Sequence, residues 1–123
     1  MSNLQLVSIV DDDESVRQGV TNLLTSAGYE VEAFRSADAF LQSGRLSHTR
    51  AIVLDLRMPG MNGPELQRHL VATGHCIPIV ILTAHGGEAE EQQAARFGAV
   101  AFVRKPFKPK ELLDAVTTAL ARG

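Results

Sequence analysis

Five times along this chain, a short apolar run rich in β-branched residues gives way to a stretch with helical spacing. Few architectures accept that alternation: it demands βαβ units and a parallel sheet. The candidate strands are 5–10, 30–34, 50–54, 77–82 and 99–103. The first helical stretch, 14–27, carries Val16, Val20, Leu23 and Leu24 at helical spacing and stops at Gly28. The second, 36–41, opens with Ser36 as an N-cap. The third, 64–73, has Pro64 in its first turn and Gly74 beyond its end. The last two are 88–97, closed by Gly98, and 109–121. Crossovers between parallel strands are right-handed, and five units are too few for a barrel, which needs eight. The expected fold is α/β, a flavodoxin-like (βα)5 doubly wound sandwich whose parallel five-stranded sheet has the order 2-1-3-4-5. At 123 residues, one such domain buries its own core.

In such a sheet, ligands bind at the carboxyl ends of the strands. The residues that follow each apolar run therefore set the chemistry. Asp11-Asp12-Asp13 follow the first run, Asp55 the third, Thr83 the fourth and Lys105 the fifth. The 2-1-3-4-5 order sets the first and third strands side by side, so Asp11, Asp12 and Asp55 converge. Clustered carboxylates repel, and their pKa values rise unless a cation sits among them. Hard oxygen donors select Mg²⁺, with Mn²⁺ as a substitute, over zinc. A hydroxyl, an ammonium and a divalent ion together suit a phosphoryl group. One carboxylate can then act as nucleophile and form an aspartyl-phosphate. Singly, each residue has a plainer reading. Asp11 can cap a helix, Asp13 and Glu14 suit a solvent-facing helix start, Thr83 can bond to backbone, and Lys105 can pair with a carboxylate. Jointly, Asp-Asp, Asp, Thr and Lys at four strand ends exceed what packing requires.

The net charge of −2 gives no electrostatic basis for direct nucleic-acid binding. Cys76 is the sole cysteine, which excludes a disulfide framework and a multi-cysteine metal site. It is expected as small packing beside the fourth strand, and a reduced thiol fits a cytoplasmic location. Met1-Ser2-Asn3-Leu4-Gln5 lacks the basic start of a signal peptide, and no apolar run approaches a membrane span. His48, His69 and His75 are expected at the surface. His85 is expected in an exposed loop near the site mouth, beside Gly86-Gly87. Lys108 stands where Asp or Ser would cap the last helix better.

Four segments together resemble the receiver domain of two-component response regulators. They are Ile9-Val10-Asp11-Asp12-Asp13, Leu54-Asp55-Leu56-Arg57-Met58-Pro59-Gly60-Met61-Asn62-Gly63, Leu82-Thr83-Ala84 and Lys105-Pro106-Phe107. The likeness covers essentially the whole chain, and the Asp-x-x-Met-Pro-Gly-Met-x-Gly block is its most specific part. It implies that Asp55 is the phosphoacceptor. It implies Mg²⁺ on Asp12, Asp55 and the backbone carbonyl of Arg57, with Asp11 assisting. Thr83 and Lys105 would hold phosphoryl oxygens, and Thr83 would gain a partner only on phosphorylation. Phe102 would be a switch aromatic that turns inward as Thr83 moves, and the Lys105–Pro106 bond would be cis. The side chain of Arg57 would tune phosphorylation and hydrolysis.

The resemblance also implies partners. A sensor histidine kinase would be the phosphodonor. The face made by the fourth strand, fourth helix and fifth strand would carry the signal to an output domain or partner protein. Such a domain is a regulatory phosphoacceptor and not an enzyme in its own right, although it assists its own phosphorylation and dephosphorylation. The run from Phe102 to Phe107 resembles receivers that precede a helix-turn-helix transcription domain. Residues 1–123 are thus read as one receiver, either complete or the N-terminal part of a longer regulator with a C-terminal output domain. Phosphorylation-dependent homodimerisation through the fourth helix and fifth strand is a further expectation. Two competitors remain. Asp11-x-Asp13 mimics the nucleophile motif of a haloacid-dehalogenase-like phosphatase, but no acidic pair follows Lys105 and Asp55 would be idle. A pseudo-receiver would keep the fold as a binding module, yet every expected residue is present. A flavin-binding flavodoxin is disfavoured, because the first loop is acidic and not built to cradle phosphate.

Overall fold

A computed structural model describes residues 5–84 and 86–122. The elements alternate as β1 (Leu6–Val10), α1 (Glu14–Ser26), β2 (Glu30–Phe34), α2 (Ala37–Gln42), β3 (Thr49–Leu54), α3 (Gly63–Ala72), β4 (Ile79–Thr83), α4 (Glu88–Arg96), β5 (Ala99–Arg104) and α5 (Pro109–Arg122). The sheet has the order β2-β1-β3-β4-β5, and every pairing is parallel. The expected architecture is therefore the observed one, with element ends moved by a residue or two. A 3₁₀ turn at Leu46–His48, absent from the sequence reading, leads into β3.

The largest boundary error has a physical cause. The run 77–82 looked like a strand, but β4 begins at Ile79. Pro78 has no N–H for the ladder, although its carbonyl still accepts from the Ile52 amide at 3.0 Å. The same shift leaves Cys76 before the strand and exposed, not packed against it. His48 and His69 are exposed, whereas His75 is half-buried, its Nδ1 lying 3.1 Å from Thr73 Oγ1. His85 lies outside the described residues.

Alternation along the strands divides the core. Val7, Ile9, Ala51, Val53, Val80 and Leu82 face Val20 and Leu24 of α1 and Leu112 and Val116 of α5. Val10, Ile52, Leu54, Ile79 and Ile81 face the opposite side, against Phe40, Leu66 and Leu70. Each buried Val, Leu, Ile or Phe side chain among them contributes about 1.5–3 kcal/mol of transfer free energy. The central strands β1, β3 and β4 are buried almost throughout, so their carboxyl ends open onto a site framed by rigid backbone.

Candidate functional site

Backbone hydrogen bonds carry the strand ends into one cluster. The Asp11 amide donates to the Phe34 carbonyl at 3.1 Å, and the Asp55 amide to Val10 at 3.0 Å. The Lys105 amide donates to Thr83 at 2.9 Å. Beyond β1 the chain turns at once into α1. Asp13 caps that helix by accepting from the Ser15 and Val16 amides. The Asp13 amide in turn donates to Asp11 Oδ1 at 2.9 Å, and Arg17 Nη1 donates to the Asp11 carbonyl at 2.8 Å. Asp13 is thus more than the solvent-facing acid expected from sequence: it fixes the backbone on which Asp11 and Asp12 stand.

Asp55 is held from the other side by α3. Asn62 and Glu65 form a reciprocal cap, each amide donating to the other's side chain at 2.9 Å. The helix consequently begins at Gly63, one residue before the expected Pro64. Gly63 lies flat against the phosphoacceptor candidate's backbone. Its amide donates to the Leu56 carbonyl at 3.0 Å, and a Cβ there would sit 2.6 Å from the Asp55 carbonyl oxygen.

The side chains converge as the strand order requires. Asp11, Asp12 and Asp55 each offer a carboxylate oxygen, and these oxygens lie within 4.8 Å of one another. Asp11 and Asp55 are buried, while Asp12 is exposed. Two oxygens on one Mg²⁺ at 2.0–2.1 Å stand at most about 4.2 Å apart, so small side-chain rotations suffice to seat the ion. All-oxygen donors of this charge suit Mg²⁺ chemically. Lys105 Nζ pairs with Asp11 Oδ2 at 2.9 Å and lies 3.9 Å from Asp55 Oδ2. Burial pushes the Asp55 carboxyl above the usual carboxylate range, and the charge of Asp11 pushes it further. A hydrogen bond from Thr83, the Lys105 ammonium and the Arg57 backbone N–H oppose that rise. Thr83 is fully buried. It is not without a partner in this arrangement. This corrects the expectation that Thr83 acquires a partner only on phosphorylation. The Lys105–Pro106 bond is cis, as the resemblance implied.

Comparison with known proteins now decides the family. The model of the response regulator receiver domain matches residues 7–117. The chain belongs to the response regulator receiver domains. Nodulation protein W of Bradyrhizobium diazoefficiens is 44% identical over 98% of this chain and 53% of its own length. Transcriptional regulatory protein FixJ of Azorhizobium caulinodans is 38% identical over 95% of this chain and 56% of its own. The solved response regulator StyR superposes with a TM-score of 0.88 at 49% identity, covering 95% of this chain and 59% of that one. The receiver spans about half the length of the relatives it matches.

Gly63 and Arg17, which shape this receiver's site, escaped the sequence reading. Gly63 gave no sign of its close approach, whereas the Asn62-x-x-Glu65 cap was readable as a motif. Arg17 sits one helical turn into α1, and only the folded path of the chain brings it to the Asp11 carbonyl. Arg57, expected to offer its carbonyl to the metal and its side chain to tuning, also reaches α4: Nη2 lies 3.6 Å from Glu90 Oε2. Phe102 is half-buried, with Arg104 5.0 Å from its ring centroid.

Proposed function

We propose that Asp55 is the phosphoacceptor of this receiver and takes its phosphoryl group from the phosphohistidine of a sensor histidine kinase. The observation that carries this is Asp55 itself. It is a buried carboxylate at the end of β3, flanked by Asp11, Asp12, Thr83 and Lys105 within one cluster. An Asp55 oxygen attacks phosphorus, an O–P bond forms, and the N–P bond breaks with imidazole leaving. Lys105 moves little to reach a phosphoryl oxygen, since it already bridges Asp11 and Asp55. Thr83 turns its hydroxyl to a phosphoryl oxygen. In this reading Asp11, Asp12, Asp55 and the Arg57 backbone carbonyl would hold Mg²⁺, which neutralises charge and polarises the phosphoryl oxygens when bound. The same groups let the domain assist its own phosphorylation and dephosphorylation.

The new contact of Thr83 with the phosphoryl group gives the switch. A differential contact biases two arrangements of the β4–α4–β5 face, with Phe102 following Thr83. The reader of that face is proposed to be a C-terminal output domain, for which residues 1–123 serve as the N-terminal receiver. Relatives twice as long, one named a transcriptional regulatory protein, support transcription as the output. A phosphorylation-dependent homodimer through α4 and β5 belongs to the same proposal, as does a cytoplasmic location. No helix among the described residues is long and apolar enough to cross a membrane. The phosphatase reading is not favoured, because Asp11 is locked by Lys105 and the Asp13 amide.

Incubation with acetyl phosphate and Mg²⁺, read by intact mass, tests the assignment. The expected result is one added phosphoryl group, abolished by Asp55→Asn and by chelating the metal. Labelling that survives Asp55→Asn but is lost in Asp11→Asn would transfer the nucleophile to Asp11.

A further inference from the structure

Helix α4 is lightly held over the sheet. Of its residues only Ala94 is buried. Polar contacts fasten it at both ends. At its C-terminal end, the buried amide of Gln67 on α3 donates to the carbonyls of Ala94 and Phe97 at 3.0 and 3.1 Å. At its N-terminal end the fastening comes from Arg104, the last residue of β5. Arg104 Nη1 donates to the Gly86 carbonyl at 2.7 Å, and Nη2 to Glu91 Oε2 at 3.2 Å. The same guanidinium lies 5.0 Å from the centroid of the Phe102 ring. Gly86 adopts φ +119, where a side chain is strained, and a Cβ there would meet Phe102 Cζ at 3.0 Å. One cation therefore ties together the β4–α4 loop, the first turn of α4 and the aromatic ring beneath them.

We infer that Arg104 is a positioning residue of the switch, a latch that holds the β4–α4 loop over Phe102 and thereby sets how readily Asp55 is phosphorylated. The inference rests on the reading of Asp55 as phosphoacceptor. If the loop follows Thr83 toward the phosphoryl group, whatever the latch contributes to the resting arrangement opposes phosphorylation by linkage. Arg104 and Glu91 are half exposed, so salt weakens the latch.

Three variants, Arg104→Gln, Glu91→Gln and their double, test this with acetyl phosphate and Mg²⁺. Arg104→Gln should label about threefold faster than wild type, the scale of one exposed charge pair. Glu91→Gln should give a smaller increase, and the double variant no more than Arg104→Gln. Raising the salt concentration should narrow the gap between wild type and Arg104→Gln. Fluorine NMR of unphosphorylated, fluorophenylalanine-labelled protein supplies a second readout. The Phe102 resonance, assigned with Phe102→Leu, should move in Arg104→Gln while those of Phe34 and Phe40 stay fixed. Wild-type labelling with an unmoved Phe102 resonance overturns the latch, as does a shift of all the phenylalanines together. Absence of label in every protein, wild type included, overturns the Asp55 assignment instead, and the Phe102 resonance then decides the latch alone.

Discussion

Helices α3 and α4 each follow a strand that ends in the site, yet they are built differently. α3 starts on a complete Asn62–Glu65 cap and buries Gly63, Leu66, Gln67 and Leu70. α4 starts on Gly87, which has no side chain, so only Glu90 Oε1 closes the turn, accepting from the Gly87 amide at 2.8 Å. Its C-terminal end is held by the buried Gln67 amide, but the other ties near its start are ion pairs from Arg57 and Arg104 with largely exposed partners. Such pairs contribute about 0–1 kcal/mol each. The contrast separates two tasks. The loop carrying Asp55 is clamped against a rigid helix, whereas the helix beyond Thr83 is cheap to displace. Under the proposed function both are needed, since a fixed phosphoacceptor must drive a movable reader.

The sharpest way to break this comparison is to add one methyl group at the start of each helix. In Gly63→Ala, the new Cβ would lie 2.6 Å from the Asp55 carbonyl oxygen and 2.8 Å from Leu56 Cα. Both are backbone atoms and cannot step aside, so a loss of about 1–3 kcal/mol is expected from overpacking. In Gly87→Ala the nearest atom is Glu90 Oε1 at 3.7 Å, and φ is −102. Its effect should stay within about 0.5 kcal/mol. Urea unfolding measures both. Equal losses would show that α4 is clamped as tightly as α3.

A smaller effect follows from the charge that the clamp encloses. The folded-state pKa of Asp55 is raised from its ordinary value of 3.8, chiefly by burial and then by Asp11. The native state therefore holds this proton more tightly than the unfolded chain does. Asp55 contributes stability below its unfolded pKa, and that stability is lost as pH rises through the folded value. In metal-free protein at pH 7, Asp55→Asn should consequently raise the unfolding midpoint by a few degrees, the scale of about 1 kcal/mol. The gain should shrink as pH falls toward 3.8. Added Mg²⁺ should stabilise wild type and erase the advantage of the variant. A gain that persists unchanged at low pH would mean that charge is not its cause.

How much of this was legible in the sequence depended on whether a residue's role is set by period or by approach. Strand alternation and the carboxyl-end rule located Asp11, Asp12, Asp55, Thr83 and Lys105, because the order 2-1-3-4-5 leaves them nowhere else to go. The clamp on Asp55 was hidden, since Gly63 reads as a helix-start glycine until the backbone beside it is seen. Arg104 was hidden for another reason. It alternates outward after buried Val103 and looks like solvated charge, and only the path of the Gly86 loop makes it a tie. Cys76 was misread because the apolar run was extended through Pro78, which cannot join the ladder.

The smallest predicted effect asks why α4 is loose. Gly87 has extended backbone angles suited to an N-cap, and a Cβ has room there. In Gly87→Ser the new hydroxyl can accept from the Glu90 amide and complete the cap that α3 already has. Serine caps exceed glycine by a few tenths of a kcal/mol, and the stiffer unfolded chain adds a comparable amount. The total is about 0.5 kcal/mol. Amide hydrogen exchange should slow in the first turn of α4 while α3 is unchanged, and labelling of Asp55 should slow slightly because displacing the helix now costs more. Unaltered exchange in α4 would move the cause of its looseness from its uncapped start to its thin buried face, where Ala94 stands alone.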